Sequence, residues 1–141
     1  MKPQYLLDTN ILSEPLSAAP NKALLARLKR HEGELAISSV VWHELVFGAS
    51  RLPPSRRRTA IERYLTQVVE ATIPIIAYDA GAAVWHGAER ARLQGLGIAP
   101  SFADGQIAAV ASVNGLILVT RNMKDFQHFK GVRLENWFVP D

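Results

Sequence analysis

Four carboxylates stand out by where they fall. Asp8 directly follows the apolar run Gln4-Tyr-Leu-Leu7, and Asp125 follows the run Leu116-Ile-Leu-Val119 after a short polar loop. Asp104 falls in the first turn of the helical stretch that leads into that second run, and Glu44 lies one to two turns into a helical stretch after Leu35-Ala-Ile37. In open parallel sheets chemistry gathers beyond the carboxyl ends of the strands. A helix that returns over the sheet starts near that edge, so all four acids are expected to converge there. Carboxylates crowded together repel and raise one another's pKa unless a cation neutralises them. An all-oxygen cage of this kind suits a hard divalent ion, Mg²⁺ or Mn²⁺, as one ion or two, which keeps several waters and bridges to phosphate. Such ions lower the pKa of bound water and stabilise the charge of an in-line displacement at phosphorus. Each acid also has a structural reading. Ser101-x-x-Asp104 is a capping box, Asp8 can cap the turn at Ile11, Glu44 can be a helix-surface acid and Asp125 a turn residue.

The elements that must position these acids follow from periodicity and punctuation. Gln4 to Leu7 reads as a central strand, with Asp8-Thr9-Asn10 at its end and a brief helical turn that Pro15 stops. Pro20 to His31 reads as an amphipathic helix with Leu24, Leu25 and Leu28 inside, and Leu35-Ala-Ile37 as a second strand. Ser38 or Ser39 caps a helix to about Arg51 whose inner positions are Val41, Leu45 and Ala49. After Pro53-Pro54, Ser55 starts a helix with the stripe Ile61, Tyr64, Leu65, Val68 and Val69. Thr72-Ile-Pro-Ile-Ile76 is a third strand whose proline places it at an edge or a strand start. Asp79 caps a helix expected to bury the small stripe Ala80, Ala83, Val84, Gly87, Ala88 and Ala91, ended by Gly95 and Gly97. Ser101 caps the next, which Asn114-Gly115 ends, and Leu116 to Val119 is a strand buried on both faces. Val132-Arg-Leu134 supplies a fifth, edge strand. Alternating strands and helices give an α/β, three-layer α/β/α sandwich on a mainly parallel five-stranded sheet. With no internal repeat and no dividing linker, residues 1–141 read as one domain.

The totals agree with an ordinary globular chain. It has 141 residues, 48% of them hydrophobic and 21% charged, with no apolar run of transmembrane length and no signal-peptide pattern, so a cytoplasmic setting is expected. The absence of cysteine excludes disulfides and thiolate-held metals. The net charge of +3 is mild, but nine of the sixteen basic residues lie between Lys22 and Arg63 against four acids there. Arg56-Arg57-Arg58 is the densest run, open either to phosphate contact or to a solvated helix face.

LLDTNILSE (6–14), ISSVVWHELVFGA (37–49), FADGQIAAVA (102–111) and LVTRNMKDF (118–126) resemble, in order and spacing, the successive motifs of PIN-domain ribonucleases, and more closely those of the VapC toxins of bacterial toxin–antitoxin pairs. Gly131 and the closing LENW (134–137) fit the same family's usual ending. The resemblance implies that Asp8, Glu44, Asp104 and Asp125 are the catalytic acids and the ligands of Mg²⁺, with Asn122 the alternative fourth ligand at the same strand end. It implies that Asn10, Thr120 and Asn122 are polar supports, and that a PIN-like fold carries a metal-dependent endoribonuclease. It further implies a VapB-like antitoxin partner laid across the cleft, homodimerisation, and a tilt of Arg56, Arg57, Arg58 and Arg121 toward RNA. Leu45, Val46, Phe47, Leu52, Tyr64 and Leu65 divide between core and a groove for that partner.

Two readings of other classes stand beside this one. A catalytically silent PIN-like module would bind RNA or protein with no turnover, although all four carboxylates are in place. A receiver-like phosphoacceptor domain would use Asp79, Thr120 and Lys124, but needs a second acid beside Asp8, where Thr9 stands.

Overall fold

The structure is a computed structural model that describes residues 2–141. Its centre is a five-stranded, all-parallel sheet of β1 (Tyr5–Leu7), β2 (Leu35–Ser38), β3 (Ile75–Ile76), β4 (Ile117–Val119) and β5 (Leu134–Glu135), in the order β3-β2-β1-β4-β5. The strand nearest the start of the chain is therefore the central one, as its apolar residues require: Leu6 and Leu7 are fully buried, as are Leu118 and Val119 beside them. Tyr5, Leu6 and Leu7 pair with Ile117, Leu118 and Val119, so β1 and β4 end level with each other. Pro74, lacking an N–H, sits just before edge strand β3 and its carbonyl accepts from Ile37.

Among the described residues, seven α-helices flank the sheet: α1 (Thr9–Ser13), α2 (Lys22–Arg30), α3 (Ser39–Ser50), α4 (Arg56–Tyr64), α5 (Ala80–Gly95), α6 (Phe102–Val113) and α7 (Met123–Phe126). Their starts follow the expected caps. Ser38 accepts from Val41 N–H, Ser55 from Arg58 N–H, Asp79 from Ala82 N–H and Ser101 from Asp104 N–H. Asp79 is thereby committed to a helix end, which leaves the phosphoacceptor reading without its acid. Beyond α4 the chain widens into a π-helical stretch, Leu65–Glu70, that the simple 3.6-residue period does not foretell; it turns both Leu65 and Val69 into the core.

One expectation is overturned. The small residues of α5 face outward: Ala80, Ala83, Gly87, Ala88 and Ala91 are exposed and Val84 is 74% exposed. The buried face is Ala82, His86, Glu89 and Leu93. Both polar members are admitted because they are partnered. His86 Nδ1 meets the Tyr78 hydroxyl at 3.2 Å, while Glu89 accepts from Arg92 at 2.6 and 2.8 Å and from Lys130 N–H at 3.0 Å. The ring of His86 lies directly against the backbone of Gly105 on α6, where a Cβ would fall 2.7 Å from its Cδ2 and closer still to Nε2. A smaller correction concerns α2, whose Leu24 is fully buried while Leu25 is 38% exposed.

Candidate active site

The carboxyl edge of β1 and β4 is locked by backbone bonds before any side chain acts. Asp8 N–H donates to Val119 carbonyl at 2.9 Å, and Thr120 N–H to Glu135 carbonyl at 3.0 Å. Asp8, only 6% exposed, then receives three donors. Thr9 N–H reaches Oδ1 at 2.8 Å, and Asn10 Nδ2 and Thr120 Oγ1 reach Oδ2 at 3.2 and 2.8 Å. Thr120 is wholly buried, and its oxygen also accepts from Asn122 N–H at 3.0 Å. That second bond orients the hydroxyl proton toward Asp8. Asn10 closes the arrangement from the other side, its Oδ1 accepting from Arg121 N–H at 3.1 Å. All three predicted polar supports, Asn10, Thr120 and Asn122, thus join the end of β1 to the end of β4, Asn122 through its backbone.

Glu44 is carried over this edge by α3, and Thr9 Oγ1 donates to its Oε2. Thr9 is the residue that sequence reading missed. Its signal was its place, a hydroxyl between Asp8 and Asn10 at the end of the first strand. Asp104 sits in the first turn of α6, aimed at the same edge, and Asp125 lies in α7 directly beyond β4.

Their electrostatics tie the four together. Burial pushes the Asp8 carboxyl above the usual carboxylate range, with the charge of Glu44 adding to the rise, while the bonds from Thr120, Thr9 and Asn10 oppose it. Burial likewise raises Asp104, and the charges of Asp8, Asp125 and Glu44 raise it further. Among the described residues, none of the four acids has a Lys, Arg or His within ion-pair distance; the ion pairs of the chain lie elsewhere. As the side chains stand, the described residues place no three of these acids within joint reach of one ion. The donor set is nonetheless all oxygen, mutually repulsive and without a protein counter-charge, which is the chemistry a hard divalent cation fits.

The basic candidates are not brought together as a patch. Arg57 lies beside Thr9 and Glu44 on the wall of a hollow of about 420 Å³, whose apolar side includes Leu16, Leu45, Ala49 and Ile61. Arg58 is turned back, donating to Leu52 carbonyl at 2.9 Å and pairing with Glu62. Arg56 is exposed at the start of α4, and the Arg121 guanidinium lies over the Phe138 ring at 4.8 Å. A second hollow, about 540 Å³, opens between α2 and the π-helical stretch, walled by Leu12, Leu25, Leu28, Tyr64 and Val68. Of the apolar positions assigned to core or groove, Leu45 and Leu65 are core, Val46 and Phe47 are exposed, and Tyr64 is half-buried with its hydroxyl donating to Leu12 carbonyl at 2.7 Å.

Comparison with known proteins gives the same reading from outside. The family model described as PIN domain matches residues 5–132. Over 137 residues the chain is 35% identical to a protein of Shigella flexneri named tRNA(fMet)-specific endonuclease VapC, covering 95% of this chain and 98% of that one. It is 33% identical over 135 residues to Ribonuclease VapC2 of Haemophilus influenzae, covering 95% and 98%. Among solved structures, FitAcB from Neisseria gonorrhoeae superposes with a TM-score of 0.89 at 28% identity, covering 96% of this chain and 99% of that chain. VapBC2 from Rickettsia felis, bound to a DNA fragment from its promoter, superposes with a TM-score of 0.82 at 29% identity, covering 97% and 99%.

Proposed function

Since the chain belongs to the PIN domain family, we propose that it is a divalent-metal-dependent endoribonuclease that serves as the toxin of a toxin–antitoxin pair. The observation that carries this is the electrostatic coupling of Asp8, Glu44, Asp104 and Asp125 at one sheet edge with no protein cation to offset it. Asp8 and Asp104 are the central ligands in this proposal, with Glu44 and Asp125 completing the set and Mg²⁺ or Mn²⁺ as the ion. When bound, the ion lowers the pKa of water and offsets charge on the phosphodiester. The chain's own residues do the positioning. Thr120 and Asn10 fix which way the Asp8 carboxylate faces, and Thr9 holds Glu44 at the edge. Arg57, exposed on the wall of the hollow that Thr9 and Glu44 also line, is the basic residue best placed to meet substrate phosphate, with Arg56 exposed at the start of α4, the Arg121 guanidinium held over Phe138 and Arg58 engaged internally.

The substrate class is RNA, in the cytoplasm; the Shigella and Haemophilus relatives are named for RNA cleavage. No helix among the described residues is long and apolar enough to cross a membrane. A Neisseria gonorrhoeae relative is named Toxin FitB, and a solved neighbour from Klebsiella pneumoniae is described as a toxin–antitoxin complex; both support a VapB-like partner whose segment covers the apolar hollow beside Glu44. A homodimer belongs to the same proposal. The test is cleavage of RNA by the purified, partner-free chain and by Asp8→Asn and Asp104→Asn, each with Mg²⁺, Mn²⁺ or EDTA. Cleavage that depends on metal and drops at least about a hundredfold in both variants is expected, the scale on which single electrostatic groups act in catalysis. Full metal-dependent activity in Asp104→Asn would sink the mechanism, and binding with no turnover by the unaltered chain would make it a binding module.

A further inference from the structure

The first turn of α6 carries a second feature that the acids do not use. Phe102, two residues before Asp104, keeps 53% of its surface exposed although it is one of the largest apolar side chains outside the core. It is not loose. The ring meets His86 at 4.9 Å between centroids in a T-shaped contact, and His86 is itself buried and tied to the Tyr78 hydroxyl. The Arg90 guanidinium, one helical turn on from His86 along α5, lies over the Phe102 ring at 5.2 Å. Arg90 is exposed, and among the described residues it has no carboxylate within ion-pair distance. A small cleft of about 60 Å³ lies along this pair, bounded by Pro100, Ser101 and Phe129.

An aromatic ring held rigidly, half open to solvent, and flanked by a cation without a counter-charge is the combination on which nucleobases stack. The ring face away from Arg90 supplies a plane that suits any base, and the guanidinium, held over the other face, supplies a phosphate contact. Position adds a constraint. Phe102 stands two residues before Asp104 in the first turn of α6, on another side of the helix, so a strand that meets both passes around that turn.

We propose that Phe102 and Arg90 form a base-stacking subsite that positions single-stranded RNA beside the acidic cluster, a proposal that rests on RNA being the substrate. Phe102 is a positioning residue in this scheme and touches no reacting atom. His86 and Gly105 matter to it because the close approach of His86 to the Gly105 backbone sets where the ring can stand.

The experiment measures binding of two fluorescein-labelled probes, oligouridylate of twelve nucleotides and a ribose-phosphate strand of the same length lacking bases, without divalent ion. Phe102→Ala is expected to weaken the first by about five- to a hundredfold, the range of one lost stack, and to leave the second unchanged. Phe102→Trp should restore binding, Phe102→Leu should not, and Arg90→Ala should weaken the first. Bulk tRNA cleaved with Mg²⁺ by the same proteins should show the Phe102→Ala loss in KM, with kcat nearly unaltered. Equal loss for both probes, no loss for either, or full rescue by leucine overturns the subsite. A wild-type chain that binds the two probes alike overturns it as well. Failure of the hydrolytic reading looks different: a chain that prefers the base-bearing strand through Phe102 yet leaves tRNA intact keeps the subsite and loses the nuclease.

Discussion

Thr120→Val removes one hydroxyl and almost nothing else, which makes it the cleanest probe of how the edge is held. Thr120 is 0% exposed, donates to Asp8 Oδ2 at 2.8 Å and accepts from Asn122 N–H at 3.0 Å. Valine matches its shape, so the core loses no volume. Asn122 is exposed, and water can replace its lost acceptor. The loss at Asp8 is then a hydrogen bond to a buried charged group, worth about 1.5–3 kcal/mol when the carboxylate is ionised and about 0.5–1.5 when it is neutral. For a chain of 141 residues the larger figure corresponds to a fall in Tm of roughly 5–10 °C. The sign of the pH dependence follows from linkage. The Thr120 bond lowers the Asp8 pKa against the rise caused by burial, so its removal raises the folded-state pKa still further above the unfolded value. Raising it weakens the folded state most where Asp8 is ionised, and the deficit shrinks as pH falls through the Asp8 pKa, which lies above the ordinary carboxylate range. Melting curves of both proteins without metal, between pH 4 and pH 8, read this directly. A deficit that is constant over that range, or one that grows in acid, would refute the account of Asp8 as an ionised acceptor of Thr120.

Three other outcomes are expected. Melting temperature should rise on addition of Mn²⁺ to the wild-type chain by an amount set by occupancy, about 2.7 kcal/mol at a hundred times the dissociation constant, and the rise should vanish in Asp8→Asn and Asp104→Asn; an equal rise in all three would place the ion elsewhere. Gly105→Ala should cost roughly 1–3 kcal/mol through overpacking of α5 against α6, because the added Cβ meets the His86 ring, and a melting temperature unchanged from wild type would show that the ring moves freely. Glu89→Gln weakens the bond to Arg92, which first among several partners holds the Glu89 carboxyl below its ordinary range. A depressed acid stabilises above its unfolded pKa and loses that effect as pH falls through the folded one, so the variant should melt a few degrees lower at pH 7, with the difference narrowing as acid carries the pH through the lowered folded-state pKa. An undiminished difference in acid would contradict the ion-paired state.

Strands β1, β2 and β4 and the edge they present were legible because each was a short apolar run ended by a polar group, Asp8, Ser38 or Thr120, and a parallel sheet leaves no doubt which edge carries chemistry; β5 lacks such a run and lies at Leu134–Glu135 rather than at 132–134. The caps at Ser38, Ser55, Asp79 and Ser101 were legible for the same local reason. Helix α5 was not. Its small residues repeat at helical spacing and look like a packing face, whereas the true inner face holds a histidine and a glutamate whose partners are Tyr78 just before the helix, Arg92 one turn along the same face, and the Lys130 N–H from a distant part of the chain. Burial of a polar group depends on partners that periodicity does not see. Thr9 escaped notice likewise, since its bond to Glu44 spans 35 residues. Arg58 illustrates the reverse: a basic run signals charge, yet one of its three members is spent on a local carbonyl.

The bond between Asp8 and Thr120 spans 112 residues, and this distance orders events in time. A chain made from its amino end exposes Asp8 first and must wait for β4 before that carboxylate gains its partner. At about 5–20 residues per second that wait is roughly 6–22 s on a ribosome. During it, the acids of the first half have no sheet edge to share, and non-local parallel pairing is slow to form. On the proposed reading, the acidic edge is complete only once β4 and Asp125 have been made. A chain truncated before β4 is therefore expected to fold no competent edge and to leave RNA uncleaved.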